Sequence, residues 1–113
     1  MKKIAAHELV EAIKKGDLTI INVLENDCFK DCHIKGSINI PSKDLEAKMK
    51  DWDREKPLVV YCASYHCPAS ANAYEILVAM GFKNVRAYEG GMKEWVALGY
   101  PSQGACKMKY LFE

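Results

Sequence analysis

Hydrophobic and polar positions along this chain alternate between a strand-like and a helix-like period. Short runs rich in β-branched and apolar residues predict strands at 19–24, 37–40, 58–61 and 85–88. Apolar residues recurring at helical spacing predict helices at 7–15, 43–50, 68–80 and 92–98. Gly16, Gly81 and Gly99 follow three of these helices and favour their ends.

The alternation of strands and helices predicts the fold class. Strands joined through helices form right-handed crossovers, so we expect a mainly parallel α/β sheet with helices on both faces. The run at 58–61 is almost entirely apolar, which is typical of a central strand covered on both sides. Chemistry in such sheets collects beyond the carboxyl ends of the strands. The turn after Tyr61 is therefore the first place to look for a site.

Length, charge and composition narrow the class of protein. The 113 residues suffice for a single domain, with a core at about 4–101 and a tail at 102–113. A net charge of +1 argues against a nucleic-acid partner. No apolar run approaches the roughly twenty residues of a membrane span, so no membrane association is expected. His7 and Glu8 interrupt the start before any apolar region develops, so we expect no signal peptide and a cytoplasmic protein.

Five cysteines are more than packing alone requires, and they could be reactive, metal-binding or simply buried. They are Cys28, Cys32, Cys62, Cys67 and Cys106. An odd count without an export signal argues against a secreted disulfide scaffold. Cys28, Cys32 and the adjacent His33 lack a second ligand pair, so we expect no metal. Cys106, in the tail, is expected to be free and exposed.

The segment from Cys62 to Pro68 joins the apolar strand to a helix. Such a short loop directs backbone N–H groups into one concave space, and the positive end of the helix dipole adds to them. A thiol there should ionise more easily, which makes Cys62 a candidate nucleophile. The alternative is that Cys62 is a small apolar residue at a strand end.

The order of several short segments carries a resemblance. They are IINV at 20–23, HIKGSINIP at 33–41, VVYC at 59–62, GFKNV at 81–85 and EGGMKEW at 89–95. Together with the cysteine-led loop, they resemble the rhodanese domain family in its single-domain form, over about residues 4–101. The resemblance implies a five-stranded, mainly parallel sheet flanked by helices on both faces. It also implies that His33 makes a structural hydrogen bond at the start of its strand.

The resemblance also implies sulfurtransferase chemistry. Cys62 would attack a sulfane sulfur donor such as thiosulfate or a persulfide, carry the sulfur as its own persulfide, and pass it to a small or protein thiol or another nucleophile. This chemistry needs no metal and no organic cofactor. The family's six-residue active loop corresponds to positions 62–67, and its substrate-binding or anion-binding positions would be Ala63, Ser64, Tyr65, His66 and Cys67.

Cys67 marks a departure from the family, which usually ends this loop with arginine. No Arg or Lys lies between Cys62 and Lys83. A phosphoryl transition state needs positive charge on its oxygens, so the longer-looped phosphatase relatives are a poor guide to this chain. The same replacement leaves thiosulfate as only one of the possible donors.

Cys67 supports two further interpretations. It could be a resolving thiol that attacks an oxidised or persulfidated Cys62, which would make the protein a dithiol redox protein. It could equally be an inert residue at the helix start. If Cys62 is itself unreactive, the chain would be a non-catalytic rhodanese-like binding module. His66 could orient an anion or simply face water.

Overall fold

A parallel sheet forms the centre of the structure, a computed structural model that describes residues 1–113. Its strands are β1 (Thr19–Asn22), β3 (Ile38–Asn39), β4 (Leu58–Tyr61) and β5 (Val85–Tyr88). They lie in the order β3-β1-β4-β5, and every pairing is parallel. The α/β architecture with a mainly parallel sheet is therefore confirmed.

The parallel sheet has four strands, whereas five were expected. Beyond β5 the chain makes only a single parallel bridge, between Lys3 and Ala87. Two backbone hydrogen bonds support it, from Ile4 N to the Ala87 oxygen and from Ala87 N to the Lys2 oxygen. The sheet thus has four full strands, and the N-terminal segment occupies the fifth place.

Five α-helices surround the sheet. They are α1 (Ala6–Lys15), α2 (Asn26–Asp31), α3 (Leu45–Met49), α4 (Ala69–Ala79) and α5 (Gly91–Ala97). Four of them agree with the predicted helices to within one or two residues at most ends. The sequence analysis missed α2, because this six-residue helix buries no side chain and so shows no apolar stripe. No helix combines the length and the apolar character needed to cross a membrane.

Two buried clusters lie on opposite faces of the sheet. Ile21, Val60 and Cys62 belong to the cluster that α3 and α4 cover, through residues such as Leu45 and Leu77. The other cluster contains alternate residues of the same strands, together with side chains from α1 and α5. Its members include Ile20, Val59, Tyr61, Leu9 and Trp95. All four residues of β4 are fully buried, which confirms it as the central strand.

The Tyr61 hydroxyl ties the central strand to the connection that follows α2. It accepts hydrogen bonds from Ile34 N at 3.0 Å and Asn22 Nδ2 at 3.1 Å, and lies 2.9 Å from Ser37 Oγ. Burial raises the pKa of Tyr61, so the phenol stays protonated. This network fixes the residue that immediately precedes Cys62.

A disulfide joins Cys32 to Cys106, across a sequence separation of 74 residues and a Cα–Cα distance of 4.6 Å. The expectation that Cys106 is free was wrong. The tail returns across the end of α2, where Cys106 N donates to the Asp31 carbonyl oxygen at 2.8 Å. Lys107 N and Met108 N each donate to the Asp31 carboxylate at 3.1 Å. Cys106 is thereby brought against Cys32.

The rest of the tail is also docked on the domain. Ser102–Gln103 forms β6, which pairs antiparallel with β2 (His33–Ile34). Lys109–Phe112 forms a 3₁₀ turn against α5, and its Leu111 is 5% exposed. Lys93 Nζ donates to the carbonyl oxygen of Glu113. The tail is therefore part of the folded domain.

Candidate active site

Cys62 lies directly after β4, at the carboxyl end of the central strand. The loop 62–67 leads into α4, with Pro68 as the N-cap residue. This arrangement of strand, loop and helix is the predicted one. The Cys62 residue is fully buried, so its thiol is covered in the resting structure.

The Cys62 thiol donates to backbone carbonyl oxygens, whereas the sequence predicted that backbone N–H groups would surround it. Cys62 Sγ donates to the Cys67 carbonyl oxygen at 3.4 Å, with the Ser64 carbonyl oxygen at 4.0 Å. Two N–H groups expected to hold an anion are used within the loop. His66 N donates to Ser64 Oγ at 3.3 Å, and Cys67 N donates to the Ser64 carbonyl oxygen at 3.1 Å. The resting loop therefore favours a protonated thiol.

Burial raises the pKa of Cys62, and this cause is larger than any other. Hydrogen bonds from the hydroxyl and the N–H of Ser70 act in the opposite direction and lower it. The Cys67 side chain raises the pKa of Cys62 through hydrogen bonding and through repulsion between the two ionised thiols. The expected easier ionisation of Cys62 is therefore wrong for the resting structure, because desolvation exceeds the two lowering contributions.

The start of α5 holds the loop in place from the other side. Met92 N donates to the Cys62 carbonyl oxygen at 3.0 Å, and Lys93 N donates to the Ala63 carbonyl oxygen at 2.9 Å. Gly91 makes this approach possible. It has a φ of +66°, and a Cβ there would lie 2.6 Å from the Cys62 carbonyl oxygen. A side chain at this position would collide with the loop.

The remaining loop residues line the surface. Ala63, Ser64 and Cys67 are partly buried, whereas Tyr65 and His66 are exposed. The Tyr65 hydroxyl donates to Glu94 Oε2 at 3.0 Å. A shallow cavity of about 310 Å³ beside the loop is lined by Ser64, Tyr65, His66, Gly90, Lys93, Glu94 and Ala97. Its lining contains the imidazole of His66, which belongs to the loop, and the ammonium group of Lys93, which lies on α5.

Sequence comparison gives these features a family. The Rhodanese-like domain profile matches residues 5–98. The chain belongs to the rhodanese-like domain family. A thiosulfate sulfurtransferase GlpE from Coxiella burnetii (strain RSA 331 / Henzerling II) is 34% identical over 106 residues, covering 94% of this chain and 96% of the relative. GlpE from Shewanella oneidensis is 30% identical over 94 residues, covering 83% of this chain and 91% of the relative.

Solved structures share the fold of this rhodanese-like domain. The BH2092 protein from Bacillus halodurans has a TM-score of 0.88 at 26% identity and covers 99% of this chain and 84% of its own. A rhodanese-related protein from Thermoplasma volcanium has a TM-score of 0.79 at 36% identity, with coverage of 91% and 98%. The rhodanese-like fold expected from the sequence is confirmed.

Sequence reasoning missed two residues at the site of this rhodanese-like domain: Ser70, which lowers the pKa of the thiol, and Lys93, which lines the cavity beside the loop. Ser70 carries a signal that a reader could have used, because a serine in the first turn of a helix after a candidate nucleophile can face it. Lys93 was read only as part of a family segment.

Of the three residues considered as metal ligands from the sequence, Cys32 and His33 have structural partners. Cys32 is in the disulfide, and His33 makes contacts of 2.8 Å from Nδ1 to the Phe29 carbonyl oxygen and 3.2 Å from Nε2 to Gln103 Oε1. The expectation of a structural hydrogen bond at His33 is confirmed. Cys28 remains a free thiol on α2, and burial, followed by the charges of Asp27 and Asp31, raises its pKa.

Proposed function

We propose that this protein is a sulfurtransferase that carries sulfane sulfur as a persulfide on Cys62 and passes it to a thiol or another nucleophile. Membership of the rhodanese-like family and the relatives named thiosulfate sulfurtransferase support the reaction type. The single observation that carries the proposal is the position of Cys62. Its thiol lies at the carboxyl end of the central strand, and the hydroxyl and N–H of Ser70 lower its pKa.

The reaction proceeds by two displacements at sulfur. Cys62 loses its proton, and its thiolate attacks the outer sulfur of thiosulfate. A new S–S bond forms as the bond to the sulfonate sulfur breaks, and sulfite leaves with the electron pair. An acceptor thiolate then attacks the outer sulfur of the Cys62 persulfide. The acceptor becomes a persulfide, and the Cys62 thiolate is regenerated.

Ser70 and the loop carbonyl oxygens have different roles in this proposal, because each favours a different protonation state of Cys62. The Ser70 hydroxyl and N–H stabilise the thiolate in both displacements, because each hydrogen bond favours the charged sulfur. The loop carbonyl oxygens of Ser64 and Cys67 hold the protonated thiol between turnovers. Since Cys62 is fully buried, the loop must move to admit a donor.

The choice of donor depends on how an anion is held without a loop arginine. His66 and Lys93 line the cavity beside the loop and can attract an anionic donor to its mouth. A point charge from lysine holds an oxyanion less specifically than a guanidinium fork does. We therefore propose two small donors for this site, thiosulfate and a low-molecular-weight persulfide, with a small or protein thiol as the acceptor.

Mass spectrometry of the peptide that carries Cys62 and Cys67 tests the proposal. The reduced protein is treated separately with thiosulfate and with glutathione persulfide. We expect the mass of one added sulfur atom at Cys62, no such addition in Cys62→Ser, and unchanged addition in the Cys28→Ser control. An unmodified Cys62 after both donors would contradict the proposal and favour a non-catalytic binding module.

Cys67 supports a second candidate function. Cys62 Sγ lies 3.4 Å from the Cys67 carbonyl oxygen, and the Cys67 side chain raises the pKa of Cys62, so the two cysteines are neighbours, as a dithiol cycle needs. In that cycle the Cys67 thiolate attacks the Cys62 sulfur of the persulfide, a Cys62–Cys67 disulfide forms, and hydrosulfide leaves. Cys67→Ser separates the two functions. A persulfide that accumulates on Cys62 only in this variant would favour the dithiol cycle, whereas unchanged turnover would exclude it.

A further inference from the structure

The loop at 62–67 is hydrogen-bonded to α5 at two places. At the start of the loop, the carbonyl oxygens of Cys62 and Ala63 accept backbone N–H groups from α5, at 3.0 Å and 2.9 Å. Further along the loop, the Tyr65 hydroxyl donates to Glu94 Oε2 at 3.0 Å. Beyond Ala63, this is the only hydrogen bond that joins the loop to α5. The hydrogen bonding between α5 and the second half of the loop therefore depends on one pair of side chains.

The Glu94 carboxylate is fixed to the sheet through its other oxygen. The Tyr88 hydroxyl, at the end of β5, donates to Glu94 Oε1 at 2.8 Å. Tyr88 is 1% exposed, so this donor has a defined position. Hydrogen bonding to Glu94 raises the pKa of Tyr65, so the Tyr65 hydroxyl stays protonated and remains a donor. One oxygen of Glu94 is thus held by the sheet, and the other holds the loop.

Tyr65 and Glu94 lie at the boundary between two cavities. The cavity of about 310 Å³ beside the loop has His66 and Lys93 in its lining. A second cavity, of about 540 Å³, extends to the start of α1. Tyr65, Gly90 and Glu94 line both cavities. Because Tyr65 is 64% exposed, its side chain can leave this boundary without disturbing the core.

Access to the Cys62 thiol requires movement of the segment 64–67. The thiol donates to the Cys67 carbonyl oxygen at 3.4 Å, with the Ser64 carbonyl oxygen at 4.0 Å, so this segment covers it. The two backbone bonds from α5 hold only positions 62 and 63, and they can remain in place. The Tyr65–Glu94 bond breaks when the segment moves, because Glu94 is fixed to the sheet. A single hydrogen bond contributes modestly to stability, so it can break and re-form in each turnover.

We propose that Glu94 is a positioning residue that controls access to Cys62, because it holds Tyr65, and with it the segment 64–67, over the thiol. The inference rests on the proposed sulfurtransferase function. Release of Tyr65 from Glu94 moves the segment away and admits the sulfur donor to the thiol. The start of the loop stays on α5 during this movement, so Cys62 keeps its place at the end of β4.

The rate at which iodoacetamide alkylates Cys62 at neutral pH tests the inference, because it measures access without sulfur transfer. Peptide mass spectrometry assigns the modification to Cys62. Tyr65→Phe removes the donor to Glu94 and should raise the rate by about threefold to tenfold, the value of one hydrogen bond. Tyr74→Phe is the matched control, since the Tyr74 hydroxyl accepts one exposed hydrogen bond, from Lys2 N at 3.1 Å. It should alkylate at the wild-type rate.

A double-mutant cycle shows whether Glu94 acts through Tyr65. Glu94→Ala should raise the rate by the same factor as Tyr65→Phe, and the double variant should be no faster than either. Glu94→Gln keeps an oxygen acceptor and should give an intermediate rate. Glu94→Ala also leaves Tyr88 without its acceptor. If that variant fails to fold, Tyr65→Phe, at an exposed side chain, still decides the question.

Steady-state kinetics with thiosulfate provide the second readout. A site that is open for only part of the time binds its substrate more weakly in proportion, so a more open loop lowers the KM. Tyr65→Phe should lower the KM for thiosulfate by about the factor seen in alkylation and leave kcat within about twofold. An unchanged alkylation rate or an unchanged KM in Tyr65→Phe would overturn the inference. So would an equal increase in Tyr74→Phe, or increases that multiply in the double variant.

The failure of the inference can be told apart from the failure of the proposed function. If Cys62 takes up sulfur and Tyr65→Phe is alkylated at the wild-type rate, only the inference fails. If Tyr65→Phe speeds the alkylation of Cys62 but Cys62 never takes up sulfur, the control of access stands and the sulfurtransferase function fails.

Discussion

Ser70 lowers the pKa of the Cys62 thiol through hydrogen bonding by its hydroxyl and its backbone N–H. The serine is 3% exposed and lies in the first turn of α4, the helix that follows the Cys62 loop. Both bonds lower the pKa of Cys62, against the larger effect of burial. Ser70 is therefore the residue on which we expect the reactivity of Cys62 to depend most.

Ser70→Ala should slow alkylation and persulfide formation at Cys62 by about threefold to tenfold at neutral pH, the value of one lost hydrogen bond. Removing a lowering contribution raises the pKa of Cys62, so the thiolate forms only at higher pH. The rise of rate with pH should therefore move to the alkaline side. Iodoacetamide kinetics across pH measure this, with Ser42→Ala, outside the loop, as the control. An unshifted profile would show that Ser70 does not act on the thiol.

Gly91→Ala should destabilise the protein more than Gly99→Ala, although both glycines have a positive φ. Gly99 has a similar φ of +75° but open space around its Cβ position, whereas a Cβ on Gly91 would meet Cys62, Ala63 and Ser64. Gly99→Ala should cost about 1–2 kcal/mol from backbone strain alone. Gly91→Ala should cost about 1–3 kcal/mol more and abolish sulfur uptake. Urea denaturation compares the two, and equal costs would contradict the packing described here.

Tyr61→Phe should destabilise the fold by about 2–4 kcal/mol, because it leaves the buried donors of Ile34 and Asn22 without their acceptor. Tyr110→Phe, which removes an unpaired hydroxyl, should change the free energy of unfolding little. Chemical denaturation of both variants measures the contrast. Similar losses in the two would show that the Tyr61 network does not stabilise the fold.

Removal of the disulfide by Cys106→Ser should lower the free energy of unfolding by about 4 kcal/mol, since the bond closes a loop of 74 residues' separation. Cys28→Ser, which removes a free thiol, should cost little. Reductant should lower the melting temperature of wild type and leave that of Cys106→Ser unchanged. If reductant affects both proteins equally, the bond is not formed in solution. Disulfides are rare in a reducing cytoplasm, which is the compartment predicted from the sequence. That location stays a prediction.

The elements that carry their own local pattern were predicted from the sequence. The apolar run of β4, the loop and the helix that follows are contiguous. Their hydrophobic periodicity and the Pro and Gly residues at the helix ends were therefore sufficient to predict them. The outcome at Cys106 depends instead on contacts with Asp31, made 75 positions away in the chain (106 minus 31). No local rule predicts such a return of the tail.

The protonation state of the Cys62 thiol also depends on contacts that are distant in the sequence. The sequence placed it correctly at the carboxyl end of a strand, where helix dipoles and N–H groups favour a thiolate. Its complete burial and its contact with carbonyl oxygens depend on how the loop folds against α5, through Gly91 and Met92. The balance between desolvation and hydrogen bonding therefore required coordinates.

The Cys32–Cys106 bond gives the acceptor a second target. Cys32 is fully buried and Cys106 only partly, so thiol exchange begins at the Cys106 sulfur and releases Cys32. An acceptor thiol in excess thus discharges the Cys62 persulfide and also releases the anchor of the tail, whose 3₁₀ turn packs against α5. Turnover should pass through a maximum as the acceptor concentration rises, because the same reagent loosens the tail from α5, the helix whose start holds the Cys62 loop.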